Sequence, residues 1–321
     1  MNISTVKRLA VGFESVVLIP HESRGTAELV AKQALAWLDG LAPGRPFLLF
    51  VHFADAHSDY HPRPEYRELF AEPYHGIVDG RGRQLVDARL GRLELEPADA
   101  RHLSNLYDAG VRQLDAELQR FFASLEERGQ LANTISVVTS DHGEEFLEHG
   151  AVLHGHTLHQ ELVRVPLLLR GPGVPGGRRV SEPVSLVDVL PTLAALASVP
   201  APGRVEGRDL RPLLRADTPG ADRALFAEAD SWLGQPDGAK LRSVRLGRYS
   251  LHHAPHSGEY RLYDLKQDPN EQTDIADGHP ETLAALRAEL DRFDRAPSAS
   301  APSTPLSDVE TAELRELGYV E

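Results

Sequence analysis

Three short apolar runs constrain what this chain can fold into. Each has the length of a strand and carries apolar residues at consecutive positions: Phe47–Phe53 (FLLFVHF), Thr134–Ser140 (TISVVTS) and Val165–Arg170 (VPLLLR). A strand that is apolar on both faces is typical of a parallel sheet covered by helices. A helical stripe over Pro97–Arg128 separates the first run from the second. This alternation predicts an α/β fold, a mostly parallel sheet flanked by helices.

Capping signals and helical spacing add two helices to this part of the chain. The first runs from Thr26, as N-cap, to Asp39 and stops at Gly40. The second starts at Ser185 and runs to Ser198. Both helices have an apolar face that could cover the predicted sheet.

The predicted elements become shorter after about Pro202. The pattern predicts three strands, Ala224–Ala229, Leu241–Leu251 and Glu259–Leu265, of which the second and third form a hairpin. A closing helix is predicted over Pro280–Phe293. We therefore predict a main α/β domain over residues 1–205 and a small C-terminal α+β subdomain with an antiparallel sheet over 206–295. A linker and a docking helix are predicted over 296–321, where a Ser- and Pro-rich stretch precedes a capping box.

The composition excludes several kinds of protein. Acidic residues outnumber basic ones by 48 to 34, which argues against nucleic acid as a partner because nucleic-acid binding needs a basic surface. The absence of cysteine rules out disulfides, thiolate metal sites and a cysteine nucleophile within these residues. No apolar run approaches the ~20 residues that cross a bilayer, so no transmembrane segment is predicted.

The strongest candidate site follows the strand Thr134–Ser140. Ligands of α/β sheets collect beyond the carboxyl ends of strands, and Asp141 and His142 stand at that position. Both side chains could ligate one cation, with Gly143 letting the backbone fold back closely; the alternative is a helix cap and a surface histidine. Two ligands do not complete a site, since a hard cation takes ~6. Five histidines fall in this region: His142, His149, His154, His156 and His159.

Two histidines are candidates for contact with an anionic substrate. His156 could donate a proton to a leaving group or stabilise an anion, because an imidazole with a pKa of ~6.5 can do either. His57 lies in the loop Asp55–Asp59, at the carboxyl end of the first predicted strand. For both, the alternative is an ordinary loop histidine, and the sequence does not choose among His149, His154 and His159.

Four stretches, in this order, resemble the sulfatase family of the alkaline-phosphatase-like superfamily: Arg45–Tyr60, Tyr107–Gly150, Gly155–Gly173 and Leu262–Ala276. The tail Leu314–Val320 is similar to a bacterial subgroup of that family. The resemblance implies that Asp141 and His142 are metal ligands, that His57 contacts a sulfate ester and that His156 assists the leaving oxygen. It further implies a divalent metal, with Ca²⁺ expected first and Mn²⁺ or Zn²⁺ as alternatives, and a small-molecule or glycan sulfate ester as substrate.

The sequence departs from the family pattern near its start. Members of the family carry paired aspartates and a C/S-x-P-x-R motif, whose cysteine or serine becomes the formylglycine nucleophile. In this sequence the acidic residues before position 40 are Glu14, Glu22, Glu28 and Asp39, and no two of them are adjacent. The C/S-x-P-x-R motif does not occur. We therefore expect an N-terminally incomplete catalytic domain, weak or absent turnover, and an unpaired strand edge at Phe47–Phe53 or Thr134–Ser140.

The expected function is metal-dependent hydrolysis of sulfate esters. Two alternatives stay open at this point. One is a phosphodiester or phosphonate monoester hydrolase of the same superfamily, and the other is a non-catalytic binding protein with the sulfatase fold. A periplasmic or extracellular location is expected if a leader peptide preceded these residues, and a cytoplasmic one otherwise.

Overall fold

A computed structural model describes residues 13–17, 19, 26–201, 203, 205–215, 222–230 and 240–295, and all structural statements refer to these residues. The predicted linker and docking helix over 296–321 lie outside them. The α-helices are α1 Ala27–Asp39, α2 Pro64–Arg67, α3 Gly82–Arg89, α4 Pro97–Glu127, α5 Gln160–Val163, α6 Val189–Leu196, α7 Arg211–Arg215 and α8 Pro280–Arg295. The strands are β1 Ser136–Thr139, β2 Glu145–Phe146, β3 Val152–Leu153, β4 Leu167–Arg170, β5 Leu225–Asp230, β6 Lys240–Leu246, β7 Tyr249–Ala254 and β8 Glu259–Asp264.

The long helix α4 organises the first half of the fold and confirms the predicted helical stripe. It begins at a capping box, in which the Glu96 and Asp99 side chains each accept a hydrogen bond from the other residue's backbone N–H. It ends just before Gly129, which adopts a φ of 66°. Its N-terminal half packs in one apolar cluster through Leu103 and Leu106, and its C-terminal half packs against α1 in another.

The segment Phe47–Phe53 corrects one prediction. Alternate side chains pack against α1 and the C-terminal half of α4: Phe47, Leu49, Val51 and Phe53. The intervening Leu48 and Phe50 are 72% and 64% exposed, and the segment pairs with no strand among the described residues. The predicted strand that is buried on both faces is therefore wrong here, because burial of the second face needs a neighbouring layer that the described part of the chain does not supply.

The strands predicted after α4 are confirmed as β1 and β4, which are shorter than expected. They pair in antiparallel register, with Ser136 opposite Arg170 and Thr139 opposite Leu167. The expected parallel pairing does not occur between described strands, since every described ladder is antiparallel. Two parallel strands must be joined by a crossover connection, and α4 is such a connection between the 47–53 segment and β1. Because the 47–53 segment forms no ladder among the described residues, this crossover yields no parallel pair there.

The C-terminal sheet has the order β5-β6-β7-β8 and is covered by α8. The predicted hairpin is present as β7–β8, and the predicted helix is present as α8. The single strand predicted over Leu241–Leu251 is wrong, because Gly247 turns the chain there at a φ of 58° and divides it into β6 and β7. No helix in the described residues has both the length and the apolarity to cross a membrane.

The loop that carries His57 is fixed to α1 and α4 through Asp55. Its carboxylate accepts hydrogen bonds from Thr26 Oγ1 at 3.0 Å and from Gln113 Nε2 at 2.8 Å. The loop also lies directly on α4 at Gly110, where a Cβ atom would stand 2.9 Å from the Asp55 carbonyl oxygen. Gly110 is therefore required for the close approach of loop and helix.

We expect Gly110→Ala to lower stability by about 1–3 kcal/mol, because the added methyl group must displace a backbone carbonyl. This is the reverse of the gain of up to ~1 kcal/mol that alanine brings in an unhindered helix interior. Urea denaturation measures the difference. Gly176→Ala is the matched control and should be neutral, because no atom lies within 4 Å of its Cβ position. A more stable Gly110→Ala variant would contradict the packing of this loop on α4.

Candidate metal centre

The turn after β1 brings Asp141 and His142 to the end of the strand, as the sequence predicts. Ser140 Oγ donates to the His142 carbonyl at 2.7 Å, and Gly143 N donates to the Leu162 carbonyl at 2.8 Å. A Cβ atom on Gly143 would lie 2.0 Å from the Glu161 carbonyl oxygen. The turn can therefore lie against α5 only because residue 143 has no side chain.

His57, His142 and His154 converge from three separate segments. Their ring centroids are 5.9 Å apart for His57–His142, 4.9 Å for His57–His154 and 3.9 Å for His142–His154. One ring nitrogen from each lies within 4.8 Å of the others, a spacing at which one metal ion could contact all three. We call this group the three-histidine centre.

The hydrogen bonds of these rings determine which nitrogen carries the proton. His57 Nδ1 lies 2.7 Å from the Ser58 carbonyl oxygen, and His142 Nδ1 lies 2.9 Å from the Gly143 carbonyl oxygen. His154 Nδ1 lies 3.0 Å from a Glu144 carboxylate oxygen. Carbonyl and carboxylate oxygens only accept, so each Nδ1 donates, and in the neutral form of such a ring Nε2 carries the lone pair. This is the arrangement found around metal-ligating histidines.

Glu144 connects the segment that carries His154 to the segment that carries Tyr60. Its buried carboxylate accepts from His154 on one oxygen and from the Tyr60 hydroxyl, at 2.8 Å, on the other. Burial, together with the neighbouring Glu144 carboxylate, raises the pKa of Tyr60, which therefore remains a neutral donor. Burial also lowers the pKa of His57, which favours the neutral ring that a metal ion requires.

Asp141 stands beside the centre but is not one of its three converging groups. Its carboxylate lies 3.8 Å from His142 Nε2, and its side chain is 75% exposed. The same carboxylate accepts from the His142 backbone N–H at 3.1 Å. Of the two predicted ligands, His142 is thus within the cluster, while Asp141 lies at its open side.

His156 lies in different surroundings from His57 and His142. Its Nε2 lies 2.7 Å from Glu145 Oε2, both side chains are buried, and its Nδ1 has no hydrogen-bond partner among the described residues. The other Glu145 oxygen accepts from the backbone N–H groups of His149 and Ala151. His156 therefore braces the β2–β3 hairpin, and the site described here does not contain it.

Sequence reasoning left His154 undecided among three histidines and gave no role to Glu144 and Tyr60. His154 and His156 are separated only by Gly155, whose φ of 81° turns the two imidazoles into different surroundings. Local sequence holds no signal for that rotation beyond the glycine itself. Two more groups of histidines and carboxylates lie close together nearby: Glu145, His149 and Glu161, and His159, His252 and Glu271.

The fold and this histidine- and carboxylate-rich site agree with two family matches. The chain matches the Sulfatase family over residues 12–199, more than half of its length, and the C-terminal region of N-sulphoglucosamine sulphohydrolase over residues 148–295. The chain therefore belongs to the sulfatase family, which confirms the resemblance found in the sequence.

Similar proteins agree with this assignment. Arylsulfatase K of Rattus norvegicus is 27% identical over 299 residues, which cover 84% of this chain and 52% of the relative. The chain thus spans about half the length of that relative.

Solved structures also resemble this chain. One protein, solved in complex with its own substrate D-glucosamine-2-N,6-O-disulfate, matches with a TM-score of 0.69 and 20% identity, covering 86% of this chain and 72% of the other. Phosphonate monoester hydrolase of Agrobacterium radiobacter matches with a TM-score of 0.66 and 23% identity, covering 84% and 62%. Solved sulfatase structures of this kind confirm the predicted α/β, alkaline-phosphatase-like fold.

We expect Gly143→Ala to destabilise the protein more than Gly110→Ala does, by about 3 kcal/mol or more, because its methyl group would overlap a backbone oxygen. The shorter separation, 2.0 Å against 2.9 Å, sets this order. Urea midpoints of the two variants, measured side by side, check it. Equal midpoints for Gly143→Ala and the wild type would mean that the turn does not lie against α5.

Proposed function

We propose that this chain binds a divalent cation at the three-histidine centre and receives a sulfate ester there, as the cation-binding part of a sulfatase active site. The observation that carries the proposal is the shared orientation of the rings. Each Nδ1 faces a carbonyl or carboxylate oxygen, and one ring nitrogen of each histidine lies within 4.8 Å of the other two.

The donor set supports a transition-metal ion. Calcium takes 6–8 oxygen ligands, whereas imidazole nitrogen suits Zn²⁺ and similar ions. Three of the converging groups here are imidazoles, and Asp141 adds an exposed carboxylate at the open side. We therefore propose Zn²⁺ in place of the Ca²⁺ first expected, and use Mn²⁺, the other alternative, as the paramagnetic probe ion in the tests below.

Each side chain has a role in this proposal. His142 and His154 hold the cation, and Asp141 offers an oxygen ligand. His57, on the opposing loop, completes the set and faces the ester. A bound divalent cation would polarise an ester oxygen as a Lewis acid. The role of His156 as an aid to the leaving oxygen is not supported by its place against Glu145. Glu144 fixes the His154 ring, in the way that carboxylates orient metal-ligating histidines.

The proposed substrate class is a sulfate ester of a small molecule or glycan. Support comes from family membership and from the solved neighbour that holds a sulfated glucosamine. The C/S-x-P-x-R motif does not occur in the 321 residues, and covalent hydrolysis needs a nucleophile. Binding, and not turnover, is therefore the property to test on this chain.

The first test is Mn²⁺ affinity, measured from the electron paramagnetic resonance signal of free Mn²⁺ during titration of the full chain. We expect His142→Ala to weaken binding by about 100-fold, because it removes a ligand; loss of the supporting Glu144 should cost about 10–100-fold. His253→Ala is the control, since this ring stacks on Tyr260 in the C-terminal sheet. Equal affinity of the wild type and His142→Ala would refute the site.

A second test separates the substrate classes. Protons of an aryl sulfate that binds next to Mn²⁺ relax faster in nuclear magnetic resonance spectra, so the wild-type chain should shorten their relaxation times and His142→Ala should not. An aryl phosphonate monoester serves as the comparison ligand. A response to the phosphonate alone would favour the second hydrolase class, for which the Agrobacterium neighbour is the structural precedent.

A further inference from the structure

Glu271 is a buried carboxylate outside the three-histidine centre. It follows β8 in the C-terminal part of the chain and is 1% exposed. A buried carboxylate is costly unless it accepts several hydrogen bonds. Here the groups around the carboxylate come from two places, because His159 and the Gln160 N–H lie at the start of α5 and His252 lies on β7.

The contacts of Glu271 converge on the start of helix α5. Its Oε2 accepts from the Gln160 backbone N–H at 3.0 Å and lies 3.1 Å from His159 Nδ1. Its Oε1 lies 3.3 Å from His252 Nε2. His159 is the N-cap residue of α5, and its side chain makes no capping hydrogen bond. The carboxylate that caps this helix is therefore supplied by a residue more than a hundred positions away.

His149 reinforces the same connection. Its Nε2 lies 3.1 Å from the Glu271 carbonyl oxygen, its Nδ1 lies 2.6 Å from Glu161 Oε1, and its ring stacks on His159 at 3.5 Å. His149 Nε2 also lies 3.2 Å from Gln272 Nε2. The pKa of His149 is raised: burial lowers it, and the bonds to Glu161 and Glu271 outweigh that effect.

Two steps lead from α5 to the metal centre. The helix presents the Leu162 carbonyl to Gly143 N at 2.8 Å, and the Gly143 carbonyl in turn accepts from His142 Nδ1. Gly143 packs so closely on the Glu161 backbone that not even a Cβ atom would fit between them. A shift of α5 must therefore also move the turn that holds His142. The carboxylate of Glu271 and the ring of His142 are thereby connected through hydrogen bonds and direct backbone contact.

We propose that Glu271 is a positioning residue of the three-histidine centre, which acts by fixing the start of α5 and, through it, the His142 turn. The proposal concerns the same site as the proposed function and rests on it only for the cation-affinity arm of the test.

The test compares Glu271→Ala, Glu271→Gln and Glu259→Ala in the full chain. Glutamine keeps an oxygen for the Gln160 N–H and His159, so it should restore what alanine loses. Glu259 is an exposed carboxylate on β8 that pairs with Arg261, and its removal should change nothing. A fourth variant, Gln160→Pro, removes the capped N–H together with the Gln160 side chain, at the first helical position, where proline is tolerated. It provides the readout if Glu271→Ala fails to fold.

The first readout is hydrogen exchange of the Gly143 amide, which reports directly on its bond to Leu162. We expect Glu271→Ala and Gln160→Pro to speed this exchange by about tenfold or more while α4 stays protected, as local opening requires. Glu271→Gln and Glu259→Ala should match the wild type. Uniform acceleration across α4 and the turn, or unchanged Gly143 exchange in both Glu271→Ala and Gln160→Pro, would overturn the proposal.

The second readout is Mn²⁺ affinity, for which we expect a loss of about 10–100-fold in Glu271→Ala and rescue by Glu271→Gln. Retained affinity together with retained exchange protection would refute the role of Glu271 and leave the proposed function standing. If the wild-type chain binds no Mn²⁺, the proposed function fails, and the exchange measurements alone decide whether Glu271 positions the His142 turn.

Discussion

Buried carboxylates that accept hydrogen bonds from histidine rings are the interaction on which the rest of this site depends. Glu144, Glu145 and Glu271 are all nearly inaccessible, and each holds at least one imidazole. Removing one member of a buried pair leaves a charge or a donor without a partner, so the groups stabilise a single arrangement. The segments around the centre contain little regular secondary structure: β2 and β3 have two residues each, and α5 has four. The carboxylate–histidine pairs hold these segments in place, as longer strands would otherwise do.

The same pairs resolve an electrostatic conflict. The chain has a formal charge of −14, so its overall field opposes an anionic ester. The centre itself is built from three imidazole rings, of which His154 contacts the buried Glu144 carboxylate, with Asp141 as an exposed acid at its edge. A cation held there would create a local positive region within an acidic protein. Recognition of a sulfate would then depend on that ion more than on the surrounding surface.

How much of this could be predicted from the sequence differs between elements. The long helix, β1, β4 and the closing helix follow from periodicity and capping residues, which are local properties. The Asp141–His142 turn follows from its place after an apolar strand. By contrast, the pairing of Phe47–Phe53 depends on neighbours outside the run, and the division at Gly247 depends on the backbone angle of one glycine.

The site was predicted in part for the same reason. His57 and His142 lie together as expected, but the choice between His154 and His156 is made by the positive φ of Gly155. The link to Glu271 spans 112 positions from His159, a separation at which a single sequence gives no indication of contact. Contacts of that kind are set by how whole segments pack, and only the three-dimensional structure displays them.

The position of Glu271 also has a consequence for the order in which the protein is made. The His142 turn and helix α5 leave the ribosome long before the carboxylate that caps α5 has been synthesised. Until residue 271 emerges, the start of that helix lacks its cap and the turn lacks its support. Under this proposal, a metal ion would meet the fully supported three-histidine centre only after residue 271 has left the ribosome.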